Sequence, residues 1–279
     1  MQQRQPELPD LRVVPVADLL LHEQHDAQRS EPLLQRLRVD GVLKNPPIVA
    51  PIRGEQRYVV LDGANRVTAT RSIGLAHIVV QVVDYEDPEL LLDTWHHLVS
   101  GLSSALFRDT LCALKGVQFE PAELLHAQAQ LDRREVLAVI QYPQAQAWTV
   151  HAGGDLHERT QHLNDIVDLY KLHGRIFRAN SNHLATLLPY HDDIALFGLF
   201  APSTLEEIVD LARVGACLPA GITRHLIPRR ALRINLPLEL LASDETLEQK
   251  NAWLALWIRQ KVTSKAARYY QESTFLFDE

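Results

Sequence analysis

58-YVVLDGANRVTATRSIGL-75 runs as an apolar, β-rich segment to Leu61, breaks at Asp62-Gly63, and turns helical from Asn65 to Gly74. A strand that opens into a helix aims the first backbone N–H groups, and the positive helix end, at one point, which makes an anion site. Gly63 lets the backbone approach a phosphate with no Cβ in the way, and Arg66 can grip phosphate oxygens as a fork. Asp62 then stands beside those oxygens, where a carboxylate is repelled unless a cation such as Mg²⁺ bridges it or it handles a proton. Taken alone, DGANR reads equally well as a plain turn with Arg66 on a solvated helix. Neither GxxxxGK[ST] nor GxGxxG occurs in the chain.

Outward from this turn the chain alternates. Residues 11–18 read as a short strand, and 19–29 as a loop bearing histidines and acids. Ser30 can cap a helix over about 31–40 that stops at Asp40-Gly41. Asn45-Pro46-Pro47 then leads into a strand at 48–51, which should pair as a hairpin with 58–61 across the turn 53–56, and 77–85 is a β-branched strand.

Beyond residue 88 the expectations are a helix over 90–106 and a hairpin of 135–142 with 147–152 around Pro143. Helices follow over about 155–173, over 204–215 with Ser203 and Glu206 as its capping box, and over 245–262. The predicted fold is α/β, with domain one at 1–88 and a mixed α/β portion at 89–279 completing a substrate cleft.

At 279 residues and 46% hydrophobic content the chain can bury a substantial core, and its net charge of −7 argues against broad nucleic-acid binding. Cys112 and Cys217 form no CxxC pair, no signal-peptide core opens the chain, and no long uncharged apolar run follows. A soluble protein in a reducing cytoplasm, without a membrane partner, is expected. His96-His97 beside Asp93 and Trp95 is the nearest thing to a metal cluster, but neighbours on a helix point about 100° apart, which favours structural roles.

The runs 13-VVPVADLLLHEQHDAQRSEPLLQRLRVDGVLKNPPIV-49 and 58–85 together resemble the ParB/sulfiredoxin superfamily, whose members hold phosphates on a glycine-led turn ending in Arg. Sulfiredoxins carry a reactive cysteine in that turn where this chain has Ala64, and chromosome-partition ParB proteins carry a doubled arginine that is absent here. The chain more closely resembles the free L-serine kinases, known from siderophore-precursor synthesis and archaeal serine metabolism. The segments that carry this likeness are LHE at 21–23, LKNPPIV at 43–49, DGANR at 62–66 and 219-PAGITRHLIPRRALRINLPL-238. It implies Glu23 as the catalytic glutamate, Asp62 as an essential aspartate and metal ligand, and Trp95 as a substrate-pocket residue. It further implies a nucleotide held by Gly63, Ala64, Asn65 and Arg66, with Arg29 closing over the phosphate. The product would be O-phospho-L-serine, made from ATP or ADP with Mg²⁺.

The residues are consistent with that chemistry. A serine hydroxyl is a poor nucleophile near neutrality, and a carboxylate within hydrogen-bond reach, such as Glu23, activates it. A free amino acid also needs its carboxylate recognised; Thr223 and Arg224 are best placed in sequence, with Arg229, Arg230 and Arg233 competing. The other reading is a ParB-like nucleotide-binding regulator without phosphotransfer. Oligomeric state and the choice of donor are not written in these motifs.

Overall fold

The runs 48-IVAP-51, 58-YVVLD-62 and 77-HIVVQV-82 are apolar at most positions instead of at every second one, the pattern of strands covered on both faces. In the computed structural model, which describes residues 8–143, 147–191 and 193–270, they form the middle of one sheet. Ile48, Val49, Val59, Val60, Ile78, Val79 and Val80 are all buried there. Strand Asp10–Pro15 pairs antiparallel with His77–Val82, Ile48–Pro51 pairs parallel with the same strand, and the 48–51/58–62 hairpin forms as expected. The short strand Leu19–Leu21 ends the row beside Tyr58–Asp62.

The chain divides into two units, and both mix helices with sheet, the α/β class that the sequence implies. One contains Met1–Leu19, Asp26–Glu89 and Ile227–Glu279; the other contains Leu20–His25 and Leu90–Leu226. This differs from a cut at 88/89, because the chain leaves the first unit at Glu89 and returns to it at Ile227. The return is held by long-range contacts. Buried Gln81 donates its amide N–H to the Arg229 carbonyl at 3.0 Å and accepts the Ala231 N–H at 2.8 Å. Leu236–Pro237 pairs with Val42–Leu43. On helix Leu247–Thr263, Asn251 accepts the Val13 N–H at 2.9 Å and donates to the Val13 carbonyl at 2.8 Å, closing the exposed edge of strand Asp10–Pro15.

Helix Ala27–Asp40 starts earlier than Ser30 alone predicts, so Ser30 lies inside it and does not cap it. The start is fixed from a distance: the Asn65 side chain accepts the Asp26 N–H at 2.9 Å, and the Asp26 carbonyl then accepts from Ser30 N at 2.8 Å. Helix Ala64–Ser72 packs against this helix.

The second unit is built on a six-stranded antiparallel sheet in the order Arg175–Ala179, His96–Ser100, Ile194–Phe200, Ala138–Gln141, Ala147–Ala152, Val117–Ala122. The hairpin of 138–141 with 147–152 is as expected. The helix expected over 90–106 is absent: the segment forms strands Leu91–Thr94 and His96–Ser100, broken at Trp95. Leu98 and Val99 sit between two sheet neighbours, and that pairing overrides a helical propensity carried by the leucines. His96 and His97 consequently face opposite sides of a strand, which separates them more completely than a helix would. The capping box of helix Leu205–Val214 lies one residue later than predicted, on Thr204 and Glu207.

Candidate active site

In the first unit the DGANR turn has the strand-to-helix form. Gly63 sits at φ +105°, a conformation that L side chains rarely adopt, and a Cβ there would lie 3.1 Å from the Arg66 guanidinium and from Pro47 Cα. No side chain caps helix Ala64–Ser72, of which Ala64 is the first residue. Arg66 does not point freely outward. Its Nη1 donates to the carbonyls of Pro46 at 2.7 Å and Asn45 at 3.2 Å, and its Nη2 donates to Asp62 Oδ2 at 3.0 Å. The Nε–H and a second Nη2–H remain for a ligand.

Arg230 also donates to Asp62 Oδ2. Burial pushes the Asp62 carboxyl up, but the charges of Arg66 and Arg230 outweigh it and hold it below the usual carboxylate range. Both arginine bonds fall on Oδ2, leaving Oδ1 open among the described residues. Asn65, expected to cradle phosphate, spends its side-chain oxygen on Asp26, and Arg29 is exposed in the first turn of helix Ala27–Asp40. Arg230 and Gln81 are the residues that sequence reasoning missed as a pair. The signal was a glutamine set among Ile78, Val79, Val80 and Val82 in the strand 77-HIVVQV-82. Its buried amide holds 229–231, and so sets Arg230 on Asp62.

In the second unit the Glu23 carboxylate is held by three donors. Oε2 accepts the Gly221 N–H at 3.0 Å, while Oε1 accepts the Thr223 N–H at 2.6 Å and the Thr223 hydroxyl at 2.5 Å. Backbone bonds from Gln24 N to the Leu218 carbonyl and from Leu218 N to the His22 carbonyl fix the loop on either side of Glu23. A carboxylate offers about four acceptor positions, so the one left over is on Oε2. His22, itself buried, lies 2.8 Å from Thr223 Oγ1 through Nε2. The threonine gives its hydrogen to Glu23, so the imidazole must be the donor in that contact. The result is a directed chain from His22 to Thr223 to Glu23.

Thr223 and Glu23 are thus brought together, and Trp95 and Arg224 form a second pair. The Arg224 guanidinium lies 4.6 Å from the Trp95 ring centroid and donates to Asp93 Oδ2 at 3.0 Å. The Trp95 backbone N–H donates to the Ile222 carbonyl at 2.7 Å, tying the chain at Trp95 to the start of the strand that carries Thr223 and Arg224. Arg229 pairs with Asp87 and Glu89, and Arg233 is placed by its backbone N–H on Asn45 Oδ1 at 2.8 Å. Among the described residues no three His, Cys, Asp or Glu side chains gather as a metal cage.

No family model matches the chain. Among curated proteins it is 25% identical over 273 residues to the ATP-dependent L-serine kinase SbnI of Staphylococcus aureus, covering 96% of this chain and 97% of that one. It is 24% identical over 235 residues to an ATP-dependent L-serine kinase of Staphylothermus marinus, covering 82% and 90%. The ADP-dependent L-serine kinase SerK of Thermococcus kodakarensis is 23% identical over 227 residues, covering 79% and 88%. Of solved structures, a C-terminally truncated SbnI superposes with TM-score 0.71 at 23% identity, covering 92% of this chain and 97% of that one. A free serine kinase in complex with AMP superposes with TM-score 0.72 at 18% identity, covering 84% and 95%. The fold matches along nearly the whole chain, and the relatives that share its length carry one description: each is named an L-serine kinase, and that is the kind of protein to which this chain is similar.

Proposed function

We propose that this chain transfers the terminal phosphate of ATP or ADP to the hydroxyl of free L-serine, giving O-phospho-L-serine. The observation that carries the reading is the Glu23 carboxylate, oriented by three donors with one acceptor position left on Oε2. The serine Oγ attacks the terminal phosphorus, its proton passes to Glu23 Oε2, and the bond to the bridging oxygen breaks to release the shortened nucleotide. Thr223 holds the base. Arg224, backed by the Trp95 ring, is the carboxylate ligand for the amino acid. The uncapped start of helix Ala64–Ser72, Gly63 and the free edge of Arg66 take the donor phosphates.

Asp62 Oδ1 suits a Mg²⁺ held mainly by phosphate and water, the way that ion is usually bound to nucleotides, with Asn65 in the same turn and Arg29, in the first turn of helix Ala27–Asp40, as a further phosphate ligand in this reading. Such an ion would spread the charge of the phosphate in transfer. Cys112 and Cys217 as reduced thiols, and the need for nucleotide, suit the cytoplasm. A purely regulatory ParB-like role has no observation in its favour beside full-length relatives named as kinases.

Phosphorus NMR of the protein with Mg²⁺, L-serine and either nucleotide tests the reaction: a phosphoserine resonance is expected, and its absence with both donors overturns the proposal. Glu23→Gln should lower kcat by about a hundredfold or more while leaving nucleotide binding in place, as measured by steady-state rates and nucleotide titration.

A further inference from the structure

Behind the Glu23 loop lies a polar pair that phosphotransfer does not use. The His97 imidazole is 1% exposed and the Tyr170 phenol 0%, and Nδ1 and Oη lie 2.7 Å apart. The other ring nitrogen, Nε2, is 3.3 Å from the Gly221 carbonyl. A carbonyl only accepts, so Nε2 carries the hydrogen and Nδ1 accepts from the tyrosine hydroxyl. Burial pushes the His97 imidazole down to about 4, which keeps this neutral tautomer in place at physiological pH.

The carbonyl so held belongs to the peptide between the two backbone donors of the Glu23 carboxylate, Gly221 N–H and Thr223 N–H. Gly221 itself sits at φ +75°, and a Cβ there would overlap the Arg178 guanidinium, so glycine suits this turn of the loop. An apolar residue would fill the same core volume between Tyr170 and Phe200, against which the His97 ring packs edge-on. What the apolar residue would not supply is the N–H for Gly221.

Resting on the kinase reading, we propose that His97, fixed by Tyr170, is a positioning residue for the general base: it sets the 221–223 backbone so that Glu23 keeps its open acceptor position for the substrate hydroxyl.

The test compares His97→Gln with His97→Asn in the full-length protein. A glutamine amide can place an N–H where Nε2 was; an asparagine amide reproduces only the Nδ1 end. His97→Gln is expected to stay within about threefold of wild-type kcat, and His97→Asn to fall by about tenfold or more, with similar melting temperatures and little change in serine KM. Amide exchange by NMR provides a readout independent of turnover: the Gly221 and Thr223 amides should exchange faster in His97→Asn, while those of strand His77–Val82 stay unchanged. If the asparagine variant does not fold, Tyr170→Phe takes its place, and faster exchange at Gly221 is again expected. Equal kcat in the two histidine variants, or unchanged exchange at Gly221 and Thr223, overturns the proposal. Faster exchange in a protein that makes no phosphoserine leaves the positioning role standing and removes the kinase reading instead.

Discussion

Glu23 commits most of its acceptor capacity to the protein itself, and its reach toward a substrate therefore depends on the partners that set its angle. Thr223 is the most direct of these, since one residue supplies both donors to Oε1. Thr223→Val keeps the shape and the backbone N–H but removes the hydroxyl that donates to Glu23 and meets His22 Nε2. We expect kcat to fall by about tenfold and Thr223→Ser to restore it, measured as initial rates at saturating nucleotide. Histidine burial has a consequence for stability too. His96 and His97 are both pushed down to about 4, chiefly by burial. A group whose folded value lies below its unfolded one stabilises the fold above the unfolded value, near 6.5, and loses that contribution as pH falls toward 4. The buried His97 alone accounts for roughly 3 kcal/mol over that window. Thermal melts from pH 7 to 4 should fall steeply in the wild type and less steeply in His97→Gln.

At the scale of elements, the DGANR turn illustrates how a short signal is both legible and incomplete. Strand, glycine and helix were all visible in sequence, because hydrophobic pattern and turn chemistry are local properties. The partners of each side chain were not. Asn65 anchors the start of another helix, Arg66 is pinned by the 45–46 carbonyls, and Asp62 is met by an arginine from residue 230, contacts that no window of local sequence contains. Gly63→Ala should be destabilising by about 1–2 kcal/mol from backbone strain alone. The added methyl also crowds Arg66 and Pro47, and weaker nucleotide binding should accompany the loss. Isothermal titration with ADP, alongside a thermal melt, checks both. The helix misread over 90–106 has the same origin: its residues become strands because Arg175–Ala179 and Ile194–Phe200 flank them, a fact stored far along the chain.

For the whole molecule, the least legible feature was the return of the last residues to the first unit. Helix Leu247–Thr263 was readable as a helix, and its partner was not. Asn251 is the polar residue whose placement explains the return, through two reciprocal bonds to Val13. Asn251→Ala should cost roughly 2 kcal/mol and lower the melting temperature by about 5 °C, with kcat little changed. Lys250 beside it is 1% exposed and caps the carbonyls of Leu241 and Ser243, both at 2.8 Å, so the same helix carries a second polar anchor.

That return reverses the usual order in which a growing chain acquires structure. Domains ordinarily complete themselves from the N-terminus as they leave the ribosome. Here every residue of the second unit has been synthesised by Leu226, while the first unit still lacks Ile227–Glu279. During translation the edge of strand Asp10–Pro15 has no Asn251 to cover it, and Asp62 has no Arg230, until the segment that follows Leu226 has been made. The half of the protein that starts first therefore finishes last, and a chain cut short near its end would carry a completed second unit beside a first unit missing its last segment.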